Sequence, residues 1–170
     1  MAAGLVFALS IVNAGCKHRK RPVQQLENDP LVASMISMGD PRAEVQLRSG
    51  FYPVEANAWR WTHQVFTVAL SPPARAKQNG ARLVLRFALP EVIVQTLKSV
   101  SLSASIENLK LDSETYTKPG EYSYTRDVPA QYLQSGVAGV QFSLDKVLPP
   151  SSQDARELGV IALEAGLIAK

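Results

Sequence analysis

The sequence predicts an all-β protein, an antiparallel β-sandwich, from three observations. Several segments alternate apolar and polar residues with a period of two, which indicates strands with one buried and one solvated face. Turn-forming residues separate these segments. The composition is 46% hydrophobic and 19% charged, which is typical of a globular domain, and it includes a single cysteine. Because one cysteine cannot form a disulfide within the chain, a hydrophobic core must stabilise the fold.

The alternation is clearest in residues 100–106, where Val100, Leu102, Ala104 and Ile106 alternate with three serines. We predict the other strands in residues 65–70, 82–89, 121–126, 140–145 and 157–163. The turns between them contain Pro72-Pro73, Asn79-Gly80, Pro119-Gly120, Ser135-Gly136 and Pro149-Pro150. Short strands at this spacing predict a sandwich of jelly-roll type.

An uncharged apolar run occupies residues 1–16 and ends at Cys16. It is too short to span a bilayer but has the length of the apolar part of an export signal. Ala14-Gly15-Cys16 resembles the lipobox of bacterial lipoproteins, in which the signal is removed before the cysteine and the cysteine carries the lipid. The resemblance implies a signal peptide over residues 1–16, acylation of Cys16 by chains such as palmitate, and location in the cell envelope. Lys17 stands where an Asp would retain some lipoproteins at the inner membrane, which favours the outer membrane.

Two features depart from that pattern. Asn13 occupies a position that is usually Leu, and no basic residue precedes the apolar run. The basic cluster from Lys17 to Arg21 follows the cysteine directly, and such a flank would keep an ordinary anchor on the cytoplasmic side. An uncleaved hydrophobic tail therefore remains the alternative interpretation.

The positive charge of the chain is concentrated near this tail. The net charge is +3, yet residues 49–170 contribute only +1. We therefore expect the cluster from Lys17 to Arg21 to contact anionic lipid headgroups. Nucleic acid is excluded as a partner because there is no recognition-helix pattern and no basic stripe with interleaved aromatics. Residues 17–49 are predicted to form a tether with one possible short helix over 31–38, and residues 50–170 to form the sandwich domain.

Two segments interrupt the alternating background and supply the candidate ligand-binding residues. Residues 50–63 contain both tryptophans of the chain, and residues 154–159 place three charged residues before a buried strand. Aromatic rings stack on the apolar face of a sugar, and charged side chains bind its hydroxyls. The candidates are Glu55, Trp59, Arg60, Trp61, Asp154 and Arg156. The alternative is structural: the tryptophans fill the core, and Arg60 forms an ion pair with Asp154.

The Gly-Phe-Tyr…Glu…Trp-Arg-Trp-Thr segment and the Asp-x-Arg-Glu-Leu-Gly segment together resemble a bacterial jelly-roll domain of the galactose-binding-like kind. Such domains occur in cell-envelope lipoproteins and beside glycosyltransferases. The resemblance implies a carbohydrate-associated, non-catalytic module whose first and last strands are neighbours. It also implies that Arg60 meets Asp154 or Glu157.

Catalytic and metal sites have little support in the sequence. His18 and His63 are the only histidines and lie in different regions, so no metal site is expected. Asp112 and Glu114, or Asp154 and Glu157, could serve as a glycosidase pair, but proximity in the sequence does not establish that geometry. Asp112 and Glu114 lie in a polar segment that is more simply explained as a solvated loop. No nucleophile or phosphate-binding motif is present. We therefore predict no enzymatic activity and no cofactor.

The combined prediction is a membrane-tethered envelope lipoprotein whose sandwich binds a glycan or envelope polymer. The alternative is a structural lipoprotein that docks on another envelope protein through one face of the sandwich. An open concavity lined by Arg60 and a tryptophan would favour the first, whereas a broadly apolar strand face would favour the second.

Lipidation can be tested on protein expressed with its leader in a Gram-negative host. We expect the mature chain to begin at Cys16 and to carry a diacylglyceryl or triacyl adduct, because the lipobox-like segment ends there. Intact mass and N-terminal fragment mass measure this directly. An uncleaved leader with an unmodified thiol at Cys16 would contradict the prediction.

Overall fold

Nine antiparallel strands form two facing β-sheets in the computed structural model, which describes Met1 and residues 32–170. The strands are β1 (Met35–Ser37), β2 (Leu47–Phe51), β3 (Arg60–Leu70), β4 (Ala81–Leu89), β5 (Val100–Ile106), β6 (Leu109–Tyr116), β7 (Gly120–Val128), β8 (Ala138–Leu144) and β9 (Ile161–Ala169). The helices are α1 (Ala76–Asn79), α2 (Glu91–Leu97) and two 3-10 helices, Pro41–Gln46 and Ala130–Tyr132. No described helix has the length and apolar character needed to cross a membrane.

The strands are divided between two sheets that share β3. Sheet A has the order β1-β9-β4-β7, and sheet B has the order β2-β3-β8-β5-β6. At its start, β3 pairs with β9 through Arg60 and Trp61. From Val65 to Leu70 it pairs instead with β8. All of these pairings are antiparallel, so the prediction of an all-β, antiparallel sandwich is confirmed.

The core lies between the sheets, and the sequence alternation determines which side chains enter it. Every second residue of β5 is buried, as the pattern predicts. Phe87 of sheet A meets Tyr116 of sheet B edge to face, with ring centres 5.0 Å apart. Within sheet B, Phe142 stacks on Phe66 at 5.1 Å, and both rings are fully buried. Aromatic contacts of this kind add to the burial of apolar surface that stabilises the sandwich.

Each predicted strand overlaps an observed one from β3 onward, although β3 begins at Arg60, five residues before its predicted start at residue 65. The last strand begins at Ile161, four residues later than expected, because residues 157–160 form only local pairings with residues 62 and 148. The polar segment that includes Asp112 and Glu114 is strand β6 rather than a loop. A bulge in β6, opposite the step from Leu102 to Ala104 of β5, obscures the alternation of β6.

The region before residue 50 differs from the prediction of a tether. Residues 35–37 form strand β1 on the edge of β9, not part of a helix, and Ile36 and Met38 are buried in the core. The described sandwich therefore begins well before residue 50. Three residues are too few to show an alternating pattern, which explains why β1 was not predicted. The signal segment, Cys16 and the cluster from Lys17 to Arg21 lie outside the described residues.

A buried glutamine fixes this N-terminal strand to the sandwich. Gln46 is 2% exposed, and its side-chain nitrogen donates to the carbonyls of Ala33 at 3.0 Å and Ala69 at 2.7 Å. Its side-chain oxygen accepts from the Ala33 amide at 2.9 Å. Because every polar atom of this buried side chain is bonded, Gln46 connects β1 to the end of β3 without an unpaired polar group.

The two ends of the sandwich differ in what they carry. The described chain enters beside the end of β3, where the Ser71 amide donates to Ala33. The last residues of β9 lie at the same end, since Ala169 pairs with Ala81. We call this the entry end. The opposite end, which we call the far end, carries residues 52–59, α2 and residues 145–160.

Replacing a central core ring tests this packing. Phe142→Ala should lower the free energy of unfolding by ~3–5 kcal/mol, because it removes a fully buried ring and leaves a cavity. Chemical denaturation followed by tryptophan fluorescence measures the change. Ser123→Ala, on the exposed outer surface of β7, is the control and should change stability by less than about 0.5 kcal/mol. Equal effects would contradict the assignment of these two faces.

Candidate functional site

The six predicted ligand-binding residues do not form one site. Arg60 and Trp61 lie buried at the start of β3, and Trp59 lies half-buried just before it. Glu55, Asp154 and Arg156 lie together in loops at the far end. The structure therefore separates a buried group from a surface group.

Arg60 is part of the framework of the sandwich. It is 6% exposed, and it donates to the carbonyls of Met38 at 3.1 Å and Tyr52 at 3.3 Å. Its remaining nitrogen pairs with the exposed carboxylate of Glu44 at 2.7 Å. The implied pairing of Arg60 with Asp154 or Glu157 is wrong, because β3 directs this side chain toward residues 38–52 instead.

The two tryptophans pack on each other rather than forming an open platform. Trp61 is 9% exposed and belongs to the core, and Trp59 packs against that core. Their rings meet edge to face with centres 6.3 Å apart. Neither Trp61 nor Arg60 is therefore available as a ligand contact in this arrangement.

Arg156 organises the surface group at the far end. Its guanidinium binds both carboxylate oxygens of Asp154, with contacts of 3.0 and 2.9 Å, and reaches Glu55 at 2.7 Å. These hydrogen bonds hold the pKa of Asp154 below its ordinary value and raise the pKa of Arg156. The group thus joins the loop before β9 to the loop before β3, and all three side chains stay partly accessible.

An aromatic pair extends this surface group along the far end. The Tyr52 ring lies 5.2 Å from the Arg156 guanidinium and stacks on His63 at 4.3 Å. Glu157 lies 3.6 Å from His63 and accepts from the Gln64 amide at 2.9 Å. Burial, and secondarily the Glu157 carboxylate, raises the pKa of Tyr52. No group of three or more metal-ligating side chains occurs among the described residues.

Glu114, one of the carboxylates considered for glycosidase work, has a partner within the sandwich. Glu114 pairs with Arg126 at 3.1 Å. Arg126 also donates to the carbonyls of Asp112 at 2.8 Å and Ser113 at 3.3 Å, where β6 bulges. These contacts attach the edge of sheet B to sheet A. They assign Glu114 and Arg126 a role in closing the sandwich.

The outer face of sheet B carries a continuous row of polar side chains that the sequence did not identify as a site. Pairing partners place one residue from each strand in the row, from β6 to β2. They are Lys110, Ser105, Gln141, Thr67 and Ser49. Lys110, Gln141 and Ser49 are exposed, and Ser105 and Thr67 are half-buried. Only the strand order shows that the five side chains are neighbours.

A groove of about 430 Å³ lies over the β6, β5 and β8 part of this row. Ser103, Ser113 and Ser143 line it together with Ser105, Lys110 and Gln141, and Ala104 and Leu111 complete it. Ser103 makes the one side-chain hydrogen bond among these six polar residues within the described chain, a long one of 3.4 Å to the Ser143 carbonyl. The hydroxyl and amide groups here are therefore available to a ligand.

The outer face of sheet A is different because its charges pair with each other. Arg86 reaches Glu164 at 2.9 Å, and Asp127 accepts from Lys170 at 2.9 Å. Neither face is broadly apolar within residues 32–170. The exposed large apolar side chains there are scattered over separate elements: Met35, Val45, Val54, Val65, Val92, Val137 and Ile168.

No protein-family model matches this chain, and no curated protein matches it. Among solved structures, the chain is similar to a family 4 carbohydrate-binding module (CBM4). The match has 12% sequence identity and a TM-score of 0.34, and it covers 85% of this chain and 88% of the other. At that level of similarity, function has to be inferred from the residues of this chain itself.

The framework role of Arg60 gives a matched pair of variants. Arg60→Leu should lower the free energy of unfolding by ~1–3 kcal/mol, because it leaves the Met38 and Tyr52 carbonyls without their donor. Glu44→Gln removes only the exposed partner and should cost less than about 1 kcal/mol. Urea denaturation of both variants measures the difference. A silent Arg60→Leu would contradict the framework role.

Proposed function

We propose that this protein is a non-catalytic binding module that holds an extended glycan against the outer face of sheet B. The observation that carries the proposal is the row Lys110, Ser105, Gln141, Thr67 and Ser49, which crosses all five strands of that sheet. A groove lies along part of it, and its polar side chains have few partners in the described chain.

The chemistry of these side chains suits a sugar chain. Hydroxyl and amide groups donate and accept hydrogen bonds, as sugar hydroxyls do, and a carbohydrate needs both from its site. The serine and threonine side chains are short and leave the backbone close to the ligand, and water bound there is displaced by groups that reproduce its hydrogen bonds. A polar surface with one lysine therefore fits a glycan better than an apolar partner.

The length of the row favours a polymer over a single sugar. Four inter-strand steps of about 4.8 Å place its two ends roughly 19 Å apart. A ligand that contacts Lys110 and Ser49 at the same time must extend across the strands. We therefore propose an envelope polysaccharide as the ligand class, and one whose chain crosses the strands nearly at right angles.

A non-catalytic role is supported by the pairing of Glu114, a carboxylate of the strand that borders the groove. Glycoside hydrolysis requires two carboxyl groups on opposite sides of the bond. Glu114 of β6 is committed to Arg126, and that pair faces the edge of sheet A. The groove itself is lined by serines, a glutamine and a lysine.

The proposal includes attachment to the outer membrane through lipid on Cys16, with the cluster from Lys17 to Arg21 against the headgroups. The described chain enters the sandwich at one end, beside Ser71. The outer face of sheet B extends from the entry end to the far end, along the strands. The 15 residues between Cys16 and Val32 are enough chain to leave this face accessible to polymer beside the membrane.

Glycan binding can be tested by affinity electrophoresis in gels containing xylan, hydroxyethyl cellulose or solubilised peptidoglycan. Gln141→Ala should weaken retardation about threefold to tenfold, because it removes the hydrogen bonds at the centre of the row. Gln131→Ala is the matched control, since Gln131 is exposed at the entry end and away from the groove. The proposal fails if none of these polysaccharides retards the wild type, or if both variants are retarded equally.

A further inference from the structure

The groove over the outer face of sheet B carries a positive charge. Among the described residues that line this groove, Lys110 is the only charged one. Lys110 is exposed at the β6 end of the polar row, and its amine forms no ion pair within residues 32–170. A ligand in the groove therefore meets an unpaired cation.

A second cation stands at the opposite end of the row. The pairing of β2 with β3 is irregular between Leu47 and Ser49, so that Arg48 and Ser49 together stand opposite Thr67. Arg48 and Ser49 are both exposed. Arg48, too, lacks an ion pair in the part of the chain that the structure describes. The row is thus bounded by two cations, and four inter-strand steps of about 4.8 Å separate Lys110 from the strand of Arg48.

The nearby carboxylates do not pair with these cations. Glu44, which shares a hollow with Arg48, is bound to Arg60 at 2.7 Å. Glu107 and Asp112 flank Lys110 in the sequence, but neither forms an ion pair with it and neither lines the groove. The lining of the groove therefore has a net charge of +1, and Arg48 adds a second positive charge beside the row.

This excess of positive charge distinguishes sheet B from sheet A. On the outer face of sheet A, three cations pair with three carboxylates, so that their charges cancel: Arg82, Arg86 and Lys170 with Asp127, Glu121 and Glu164. An anionic ligand is therefore attracted to sheet B by charge and finds no equivalent excess on the opposite face.

We infer that the polysaccharide held by sheet B is anionic and carries carboxylate groups, as a chain of uronic acid units does. This inference rests on the proposed glycan-binding function and names the class of its ligand. One carboxylate accepts a hydrogen bond from the Lys110 amine. Another pairs with the Arg48 guanidinium, whose parallel N–H groups match the two oxygens of a carboxylate. The uncharged side chains between the two cations bind hydroxyl groups of the same chain.

The test compares polygalacturonate and alginate with the same two polymers after their carboxyl groups have been reduced to alcohols. Biolayer interferometry of the full chain on immobilised polymer should show at least about fivefold tighter binding of the acidic forms, because only these give charge-assisted hydrogen bonds. The preference should disappear in about 1 M salt, where the Debye length is about 3 Å.

Two variants remove the cations of the row. Lys110→Gln and Arg48→Gln should each weaken binding of the acidic polymers about threefold or more, and should leave binding of the reduced polymers unchanged. Arg82→Gln is the matched control, because it removes one positive charge from the outer face of sheet A, and it should bind like the wild type. Glu107→Gln removes a negative charge close to Lys110 in the sequence and should not weaken binding.

The outcomes separate this inference from the proposed function. Equal binding of acidic and reduced polymers, or retardation by xylan or hydroxyethyl cellulose without binding of either acidic polymer, overturns the inference and leaves the glycan-binding function standing. If no polysaccharide of either experiment binds, both fail. An equal loss of binding in Arg82→Gln reduces the preference to net charge and overturns the inference.

A membrane surface is the competing anionic ligand. Co-sedimentation with phosphatidylglycerol vesicles that is lost in Lys110→Gln and Arg48→Gln would make lipid headgroups the ligand of this face and overturn the inference. Because Lys110 and Arg48 are exposed, thermal melts of both variants should match the wild type, which excludes unfolding as the cause of any loss.

Discussion

The sandwich depends on one strand that belongs to both sheets. β3 pairs with β9 over its first two residues and with β8 over its last six, so the chain must leave one sheet and join the other between them. Arg60 holds the departure point by binding two backbone carbonyls. On the other side, Gly159 approaches β3 so closely that a Cβ on Gly159 would lie 2.6 Å from the Thr62 hydroxyl oxygen. A buried arginine and an obligatory glycine therefore fix the position where the sheets join.

The opposite side of the sandwich is closed in a related way. Arg126 and Tyr124 of β7 both donate to the Asp112 carbonyl in the bulge of β6, at 2.8 and 2.7 Å. Backbone carbonyls that strand pairing leaves open are thus bonded by side chains from the other sheet, as buried polar groups require. With both sides closed, the outer surface of sheet B and the loops of the far end are the parts left available for ligands.

Much of this fold could be predicted from the sequence because alternation records which face of a strand is buried. That rule identified β4, β5, β7 and β8, whereas the apolar and β-branched composition of residues 65–70 identified β3. It missed three strands: β1, which is too short to alternate, and β2 and β6, whose pairings with their neighbours are irregular. The residue types of segment 50–63 suggested a surface site at Arg60, because a charged residue stands there between two tryptophans. Its actual partners are carbonyls of residues distant in the chain, and only the folded structure brings them to Arg60. The polar row was invisible for the same reason: Gln141 and Ser105 become neighbours only through strand order.

The connection of Gln46 to Ala33 has a mechanical consequence for a protein held at one end. If a polymer on sheet B is pulled while the N-terminal segment is fixed, the load enters the domain at residue 32 and reaches β1 before any other strand. The antiparallel pairing of β1 with β9 and the three Gln46 hydrogen bonds then resist together, in shear along the strand axis. The shortest strand is thus the first element to bear tension, and the glutamine shares that tension with β3.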